Sequence, residues 1–144
     1  MKIWIINGPN LNMLGIREPG IYGREDYASL CRRIREFAGE RGVEAEIFQS
    51  NHEGTLVDII QDAYGKAEGI VINPGAYTHT SVALLDAVKA VGIPTVEVHI
   101  SDVNAREPFR QTSYIRAACI GTISGHGTAG YLEAMELLLR REKP

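Results

Sequence analysis

Residues 69–75 read Gly-Ile-Val-Ile-Asn-Pro-Gly, and this stretch decides the fold. Its first five residues carry no charge and include three consecutive β-branched side chains, which is typical of a strand buried on both faces. The Pro-Gly pair that follows predicts a turn rather than more strand. The stretch therefore predicts a strand at the centre of a parallel sheet.

Strand-like and helix-like segments alternate on both sides of this stretch. Further strands are predicted at residues 2–7, 43–49 and 95–99 and within residues 115–123, in segments rich in β-branched and aromatic residues. Apolar residues at helical spacing predict helices at residues 27–41, around residues 53–63, from Thr80 or Ser81 through Val91, and at residues 126–141. Ser50 and Glu53 have the spacing of a capping box before the second of these helices.

Five strands that alternate with helices imply parallel strands joined by right-handed crossovers. The sequence therefore predicts an α/β fold, a flavodoxin-like three-layer sandwich with a five-stranded parallel sheet of order 2-1-3-4-5 flanked by helices. A single domain over residues 1–144 is expected from the length. Ligands of such sheets bind beyond the carboxyl ends of the strands, so chemistry is expected in the loops after Asn7, Asn73 and His99.

The composition is that of an ordinary globular protein, with 44% hydrophobic and 23% charged residues and a net charge of -3. A mildly acidic chain is a poor partner for nucleic acid or a membrane surface. Cys31 and Cys119 stand far apart without a CxxC pattern, and the first residues break at Asn7-Gly8-Pro9, too early for a signal-peptide core. A reduced, cytoplasmic protein is expected.

The three loops are rich in side chains that bind anions or transfer protons. They carry Asn10, Asn12, Arg17 and Tyr22, then Asn73, Tyr77 and His79, then Glu97, His99, Ser101, Arg106 and Arg110. Any one of them taken alone is more often structural than catalytic. Because the predicted fold brings the three loops to one edge, the set as a whole indicates a site.

Several reaction classes lack their motifs. The first loop, GPNLNMLG, matches neither phosphate-binding pattern, and the histidines show no metal-ligand spacing. There is no GxSxG elbow for acyl transfer, and the lysines map to a strand start, helices and the tail, away from a Schiff-base position. The reaction class that remains is acid–base chemistry on a small anion, with Arg as the charge partner.

Five blocks together resemble the type II 3-dehydroquinate dehydratases. They are INGPNLNMLGIREPGIYG, FQSNHEGTLVDIIQDA, INPGAYTHTSVALLDA, VEVHIS and AREPFRQTSY, and the resemblance runs from residue 3 to about residue 140. The resemblance implies dehydration of 3-dehydroquinate to 3-dehydroshikimate through an enolate by anti elimination, without cofactor or metal. It also implies a homo-oligomer, a dodecamer built from four trimers, that serves the shikimate pathway or quinate breakdown.

The resemblance assigns five catalytic positions. Tyr22 matches the base and Arg17 its activating partner, while Asn10 matches the residue that holds a water against the enolate oxygen. His99 matches the general acid. Glu97 lies two residues before it, so the period of a strand places both side chains on one side, where the carboxylate orients the imidazole.

The resemblance also implies how substrate is held. Backbone N–H groups of Ile100 and Ser101 would bind the carboxylate, and His79 and Arg110 the ring hydroxyls. Asn73 would partner His99 and substrate hydroxyls. Asp86 matches a residue that reaches a neighbouring subunit's site.

One region departs from the family's usual pattern. Asp102 and Asn104 stand where the family commonly has Asn and His. An ionised Asp102 beside the carboxylate-binding amides is expected to weaken substrate affinity unless Arg106 neutralises it.

Three alternatives are weighed at this point. The first is a related enzyme with the same proton chemistry that acts on another cyclic hydroxy-keto acid. A flavodoxin-like binding module for FMN or a phosphoryl group is disfavoured, since the first loop lacks a Ser/Thr run and Asn7 and Asn73 replace the expected acids. An assembly subunit without activity would not need so many proton-handling groups.

Overall fold

The computed structural model describes residues 1–16 and 25–142, among which five strands form one parallel sheet. Strands β1 to β5 span Lys2–Asn7, Glu44–Gln49, Gly69–Asn73, Thr95–His99 and Gly121–Ser124, in the order β2-β1-β3-β4-β5. Helices α1 to α4 span Tyr27–Arg41, Glu53–Asp62, Val82–Val91 and Ala129–Glu142. The predicted flavodoxin-like sandwich and its strand order are confirmed.

Alternation along β1 divides the core into two layers. Ile3 and Ile5 belong to a cluster with residues of α1 and α4, whereas Trp4 and Ile6 belong to a cluster with residues of α2 and α3. Successive side chains of a strand point to opposite faces, so the central strands are buried on both. This double burial is the physical reason that GIVIN in β3 contains no polar side chain before its last residue.

Two helices begin directly after a side chain that caps them. The Asp26 carboxylate accepts a hydrogen bond from the backbone N–H of Ser29 at 2.8 Å before α1. The Ser81 hydroxyl accepts one from the N–H of Leu84 at 3.0 Å before α3, which decides between Thr80 and Ser81. Such caps satisfy N–H groups that have no partner inside the helix.

The predicted capping box at α2 is wrong. The helix begins at Glu53, directly after His52, so Ser50 lies too early to be its cap. The Ser50 hydroxyl instead accepts a hydrogen bond from the His52 N–H at 3.0 Å and stabilises the turn before the helix. Ser and Thr hydroxyls commonly serve such turns.

The last strand and the last helix differ in how well they match their predicted bounds. The strand predicted within residues 115–123 is β5, which is only four residues long and follows a 3₁₀ turn at Ile115–Ala118. The last helix begins at Ala129 rather than at residue 126, because Gly125 and Gly127 adopt left-handed backbone angles, with φ of 82° and 62°. In the described part of the chain, no helix is both long and apolar enough to cross a membrane.

Candidate active site

A cleft opens where β1, β3 and β4 end. Asn7 and Asn73 are partners in the register of β1 and β3, and His99 is the last residue of β4. The side chains and backbone that line the cleft are Leu11, Asn73, Gly75, Ala76, His79, His99, Ile100, Ser101, Val103, Arg106 and Arg110. The cleft lies at the sheet edge that the topology predicts for a ligand site.

Six of the sequence-predicted residues line this cleft, namely Asn73, His79, His99, Ile100, Ser101 and Arg110. Glu97 lies directly beneath it, and Asn10 lies on the adjoining loop. Asp86 is exposed on α3, away from this cleft. Arg17 and Tyr22 fall outside the described residues.

His99, which lines the cleft, forms a hydrogen-bonded pair with Glu97 behind it. Oε2 of Glu97 lies 2.5 Å from Nε2 of His99. The Glu97 side chain is 0% exposed and His99 is 5% exposed. A carboxylate hydrogen-bonded to an imidazole fixes the orientation of the ring.

Three hydroxyl groups surround the Glu97 carboxylate. Thr78 donates to Oε2 at 2.7 Å, Ser113 donates at 2.9 Å, and Thr122 approaches Oε1 at 3.4 Å. Arg116 adds a positive charge, with its Nε 3.5 Å from Oε1. Every side of this buried carboxylate is thus met by a donor or a positive charge, as burial of an ionised group requires.

These contacts decide the protonation state of Glu97. Burial alone would raise its pKa, but the hydrogen bond and charge of His99, together with the Thr78 and Ser113 hydroxyls, lower the pKa of Glu97 to about 2. The carboxyl group is therefore ionised at neutral pH. The site thus places a permanent negative charge next to His99.

His79 lies at the opposite wall of the cleft as a neutral imidazole. Its Nδ1 donates to the backbone carbonyl of Thr112 at 2.6 Å, since a carbonyl oxygen only accepts. Partial burial, more than any neighbouring charge, holds the pKa of His79 below its usual value of 6.5. Nε2 of the neutral ring is then a hydrogen-bond acceptor for a ligand hydroxyl.

Arg110 is held at the rim of the cleft by two contacts. Its Nε lies 2.5 Å from a carboxylate oxygen of Glu107, and its guanidinium lies 5.1 Å from the centre of the Phe109 ring. Together with Arg106, it gives the cleft a positive lining that suits an anionic ligand.

The loop after β1 carries Asn10 in an unusual backbone conformation. Asn10 has a φ of 70°, the only positive φ among the described residues other than glycine. Its N–H donates to the Asn51 side chain at 3.0 Å, which helps to hold this conformation. A strained backbone at a single polar residue is a common feature of functional loops.

The loops after β1 and β3 touch at Gly8. Its N–H donates to the carbonyl of Asn73 at 2.8 Å. A Cβ atom at Gly8 would lie 2.4 Å from the carbonyl oxygen of Pro74, so only glycine allows this approach. The contact sets the separation between Asn10 and Asn73.

The backbone after β4 is fixed through its carbonyl oxygens. The carbonyl of Ile100 accepts from the N–H of Gly127 at 3.1 Å, and that of Ser101 accepts from the Ser124 hydroxyl at 3.1 Å. Both residues are buried. Asp102 follows them and packs against Gly125, where a Cβ atom would lie 3.1 Å from the Cβ of Asp102.

Sequence reasoning missed the residues behind the cleft. Thr78 stands between Tyr77 and His79 in a loop that was recognised as functional, so its position was a usable signal. Ser113 and Arg116 also contact Glu97, and the sequence predicts a role for neither of them. Tyr131, on the last helix, donates a hydrogen bond to Asn7 and accepts one from Asn73. These partners are 124 and 58 residues away from it in the sequence, respectively.

In residues 1–16 and 25–142, no three His, Cys, Asp or Glu side chains are grouped so that they could hold a metal ion. The site as described consists of acid–base, hydroxyl, amide and guanidinium groups.

Comparison with known proteins gives this arrangement a family. The model of the family described as dehydroquinase class II matches residues 1–139. The chain belongs to the class II dehydroquinase family. Relatives named 3-dehydroquinate dehydratase come from Clostridium perfringens and Clostridium acetobutylicum. The first is 54% identical over 99% of this chain and 100% of the relative, and the second 52% identical over 96% of each.

Solved structures agree with the family assignment. The type II dehydroquinase of Butyrivibrio crossotus superposes with a TM-score of 0.96 at 52% identity, covering 96% of this chain and 97% of that one. A 3-dehydroquinate dehydratase-like protein of Bifidobacterium longum is more distant, with a TM-score of 0.72 and 27% identity over 97% of this chain and 96% of that one. The chain is thus more similar, in sequence and in fold, to the structure named type II dehydroquinase than to the one named dehydratase-like.

Proposed function

We propose that this chain dehydrates 3-dehydroquinate to 3-dehydroshikimate by anti elimination through an enolate. The observation that carries the proposal is the His99 imidazole in the cleft, bonded at 2.5 Å to a fully buried, ionised Glu97. The names of the relatives described above support the choice of substrate.

In the first step Tyr22, as phenolate, removes the proton from the carbon next to the ketone. A free phenol with a pKa near 10 is only about a thousandth ionised at pH 7. The guanidinium of Arg17, five residues earlier in the sequence, would favour the phenolate, and each unit by which it lowers the pKa is worth roughly 1.4 kcal/mol. Arginine suits this task because it does not itself lose a proton.

The enolate oxygen that forms next needs a hydrogen-bond donor. Asn10 would hold a water molecule against this oxygen, which is an oxyanion-hole role. The left-handed backbone of Asn10, held by Asn51, supports this assignment because a preorganised donor does not need to reorient during the reaction.

In the last step the enolate collapses, the carbon–oxygen bond breaks, and His99 protonates the departing hydroxyl, which leaves as water. Nε2 of His99 is bonded to Glu97, so Nδ1 is the nitrogen that would donate this proton. Tyr22 then releases to solvent the proton that it took, and His99 takes up a proton from solvent. Both groups thus return to their starting states. The scheme needs no metal, no organic cofactor and no imine.

Substrate binding uses the rest of the cleft. The N–H groups of Ile100 and Ser101 would hold the carboxylate, and Arg110 and the neutral His79 the ring hydroxyls. Asn73 would bind a further hydroxyl. The positive lining and the acceptor on His79 support these assignments.

Assembly is part of the same proposal. Asp86 is exposed on α3, away from its own cleft, which suits a residue that completes the site of a neighbouring subunit. We propose the dodecamer of four trimers that the family resemblance implies, in the cytoplasm, where Cys31 and Cys119 remain the free thiols that they are here.

The deciding experiment is a dehydratase assay that follows the ultraviolet absorbance of the conjugated product. Wild type should convert 3-dehydroquinate, and Tyr22→Phe should lose at least about 100-fold in kcat while its unfolding temperature stays the same. Tyr64→Phe, at a side chain 71% exposed on the surface, is the matched control and should retain full activity. No turnover by wild type removes the substrate, and normal turnover by Tyr22→Phe removes the base.

A second experiment separates this scheme from imine chemistry. Sodium borohydride added with 3-dehydroquinate should leave the activity intact, because no carbon–nitrogen double bond forms. Covalent labelling of a lysine in the presence of substrate would contradict the scheme.

A further inference from the structure

Tyr131 of α4 is 0% exposed, and its hydroxyl lies between the last residues of β1 and β3. The hydroxyl donates to Oδ1 of Asn7 at 2.7 Å and accepts from Nδ2 of Asn73 at 2.9 Å. One phenol from the end of the chain therefore joins two amides at the point where the strand order of the sheet reverses.

The direction of these hydrogen bonds is fixed by a backbone group. The N–H of Gly75 points at Oδ1 of Asn73 over 3.1 Å, and a backbone N–H can only donate. The amide of Asn73 therefore directs its oxygen to Gly75 and its NH₂ group to Tyr131. Tyr131 accepts from that group, so its own proton goes to Asn7.

The far end of the network is consistent with this direction. Asn7 receives the proton of Tyr131 on Oδ1, and its Nδ2 donates to the Tyr27 hydroxyl at 3.3 Å. Burial raises the pKa of Tyr27 to about 12 and raises the pKa of Tyr131 above its ordinary value of 10. Both phenols thus keep their protons at neutral pH, as the network requires.

We propose that Tyr131 is a positioning residue for substrate, which acts by fixing the amide of Asn73. One Nδ2 proton of Asn73 goes to Tyr131, and the second is directed to a ligand hydroxyl in the cleft that Asn73 lines. This inference rests on the function proposed above, since it assumes a polyhydroxylated ring in that cleft.

Removal of the Tyr131 hydroxyl tests the role without changing the shape of the core. In Tyr131→Phe the NH₂ group of Asn73 loses its acceptor and the amide is free to turn. The KM for 3-dehydroquinate should rise about five-fold, with kcat within about two-fold of wild type, because one hydrogen bond to bound substrate is lost. A purely structural role would lower the fraction of active enzyme, and with it kcat, while KM stayed the same.

A double-mutant cycle identifies the residue through which Tyr131 acts. In the Asn73→Ala background, Tyr131→Phe should cause no further change in KM, because the amide that it positions is gone. An equal rise in KM in both backgrounds, or a wild-type KM in the single variant, would overturn the inference.

Tyr27→Phe is the matched control. It removes a hydroxyl from the same network one residue farther from the cleft, but Gly75 and Tyr131 still fix Asn73. Its KM should stay within about two-fold of wild type, since the hydrogen bond to substrate is kept. A five-fold rise there would mean that the network acts as a whole, against a specific role for Tyr131.

Two further measurements keep the inference testable. If Tyr131→Phe does not fold, Asn7→Leu removes the acceptor of the Tyr131 proton, which then competes for Oδ1 of Asn73 and favours a turned amide. The KM of Asn7→Leu should therefore rise in the same way, and an unchanged KM would contradict the inference. If wild type does not turn over 3-dehydroquinate, the proposed function fails by itself. The side-chain amide NMR signals of Asn73, assigned with Asn73→Ala, should still move in Tyr131→Phe, and unchanged signals would refute the positioning role.

Discussion

Oε2 of Glu97 accepts from both Thr78, at 2.7 Å, and His99, at 2.5 Å. The same oxygen thus joins a hydroxyl fixed by the protein to the imidazole that lines the cleft. A buried charge is tolerated only when its hydrogen-bonding capacity is satisfied. The position of His99 therefore depends on groups that lie behind the lining of the cleft.

Replacement of Glu97 by glutamine should impair proton transfer without opening the core. Glu97→Gln keeps the volume but removes the negative charge next to His99. We expect kcat to fall about 100-fold, within the range that general acid catalysis contributes. Glu36→Gln, on the exposed side of α1, is the control, and a wild-type kcat in Glu97→Gln would contradict the role.

The acid stability of the protein should report the same carboxylate. Its pKa falls from 4.5 to about 2 on folding, so its contribution is complete above pH 4.5 and is lost as the pH falls toward 2. The contribution at neutral pH is on the order of 3 kcal/mol. Urea unfolding of wild type and Glu97→Gln across this range should give curves that converge at low pH. Parallel curves would show that Glu97 is not ionised in the folded protein.

Thr78 should be the most important hydroxyl around Glu97, because it makes the shortest contact of the three. Thr78→Val has nearly the same shape and removes the donor. We expect a loss of about 1–3 kcal/mol in the free energy of unfolding, as for an unsatisfied buried group, and a higher pH for acid unfolding. Thr80→Val, two residues away and exposed, should change neither. Equal effects at both positions would point to a general effect on the loop.

The fold was predictable because its signals are local and repeated. The apolar run Gly69–Asn73 and the cap at Ser81 each determine a nearby structure, and the alternation of strands with helices implies the sheet order. The pairing of Glu97 with His99 was also predictable, since two residues on one strand share a face.

The surroundings of Glu97 were not predictable in this way. Ser113 approaches it from between two 3₁₀ turns, Arg116 approaches it from the second of these turns, and Tyr131 reaches Asn73 from the last helix. These contacts depend on how separate elements pack, and no period or spacing in the sequence encodes them. The predicted capping box was wrong for a different reason. Ser50 and Glu53 have the right spacing for a capping box, but the helix begins only at Glu53.

Asp102→Asn should strengthen substrate binding. Asp102 directly follows Ser101, whose N–H is proposed to hold the substrate carboxylate, and a negative charge there opposes that binding. The KM should fall while kcat changes little, because the charge acts on bound substrate and transition state alike. The effect should weaken at high salt. Asp58→Asn, exposed on α2, serves as the control, and an unchanged KM for Asp102→Asn would mean that its charge does not act on the ligand.

Gly8→Ala should separate the two loops that the site depends on. The new Cβ would lie 2.4 Å from the carbonyl oxygen of Pro74, a backbone atom that has no rotamer with which to move away. Overpacking of this kind costs typically about 1–3 kcal/mol, and here it also shifts Asn10 relative to Asn73. We therefore expect kcat/KM to fall by more than the loss of folded protein explains.

Gly39→Ala is the control, because a Cβ there meets nothing within 4 Å and the residue lies in α1. That variant should gain up to about 1 kcal/mol from helix propensity and keep its activity. Wild-type kcat/KM in folded Gly8→Ala would show that the separation of the loops does not control the reaction.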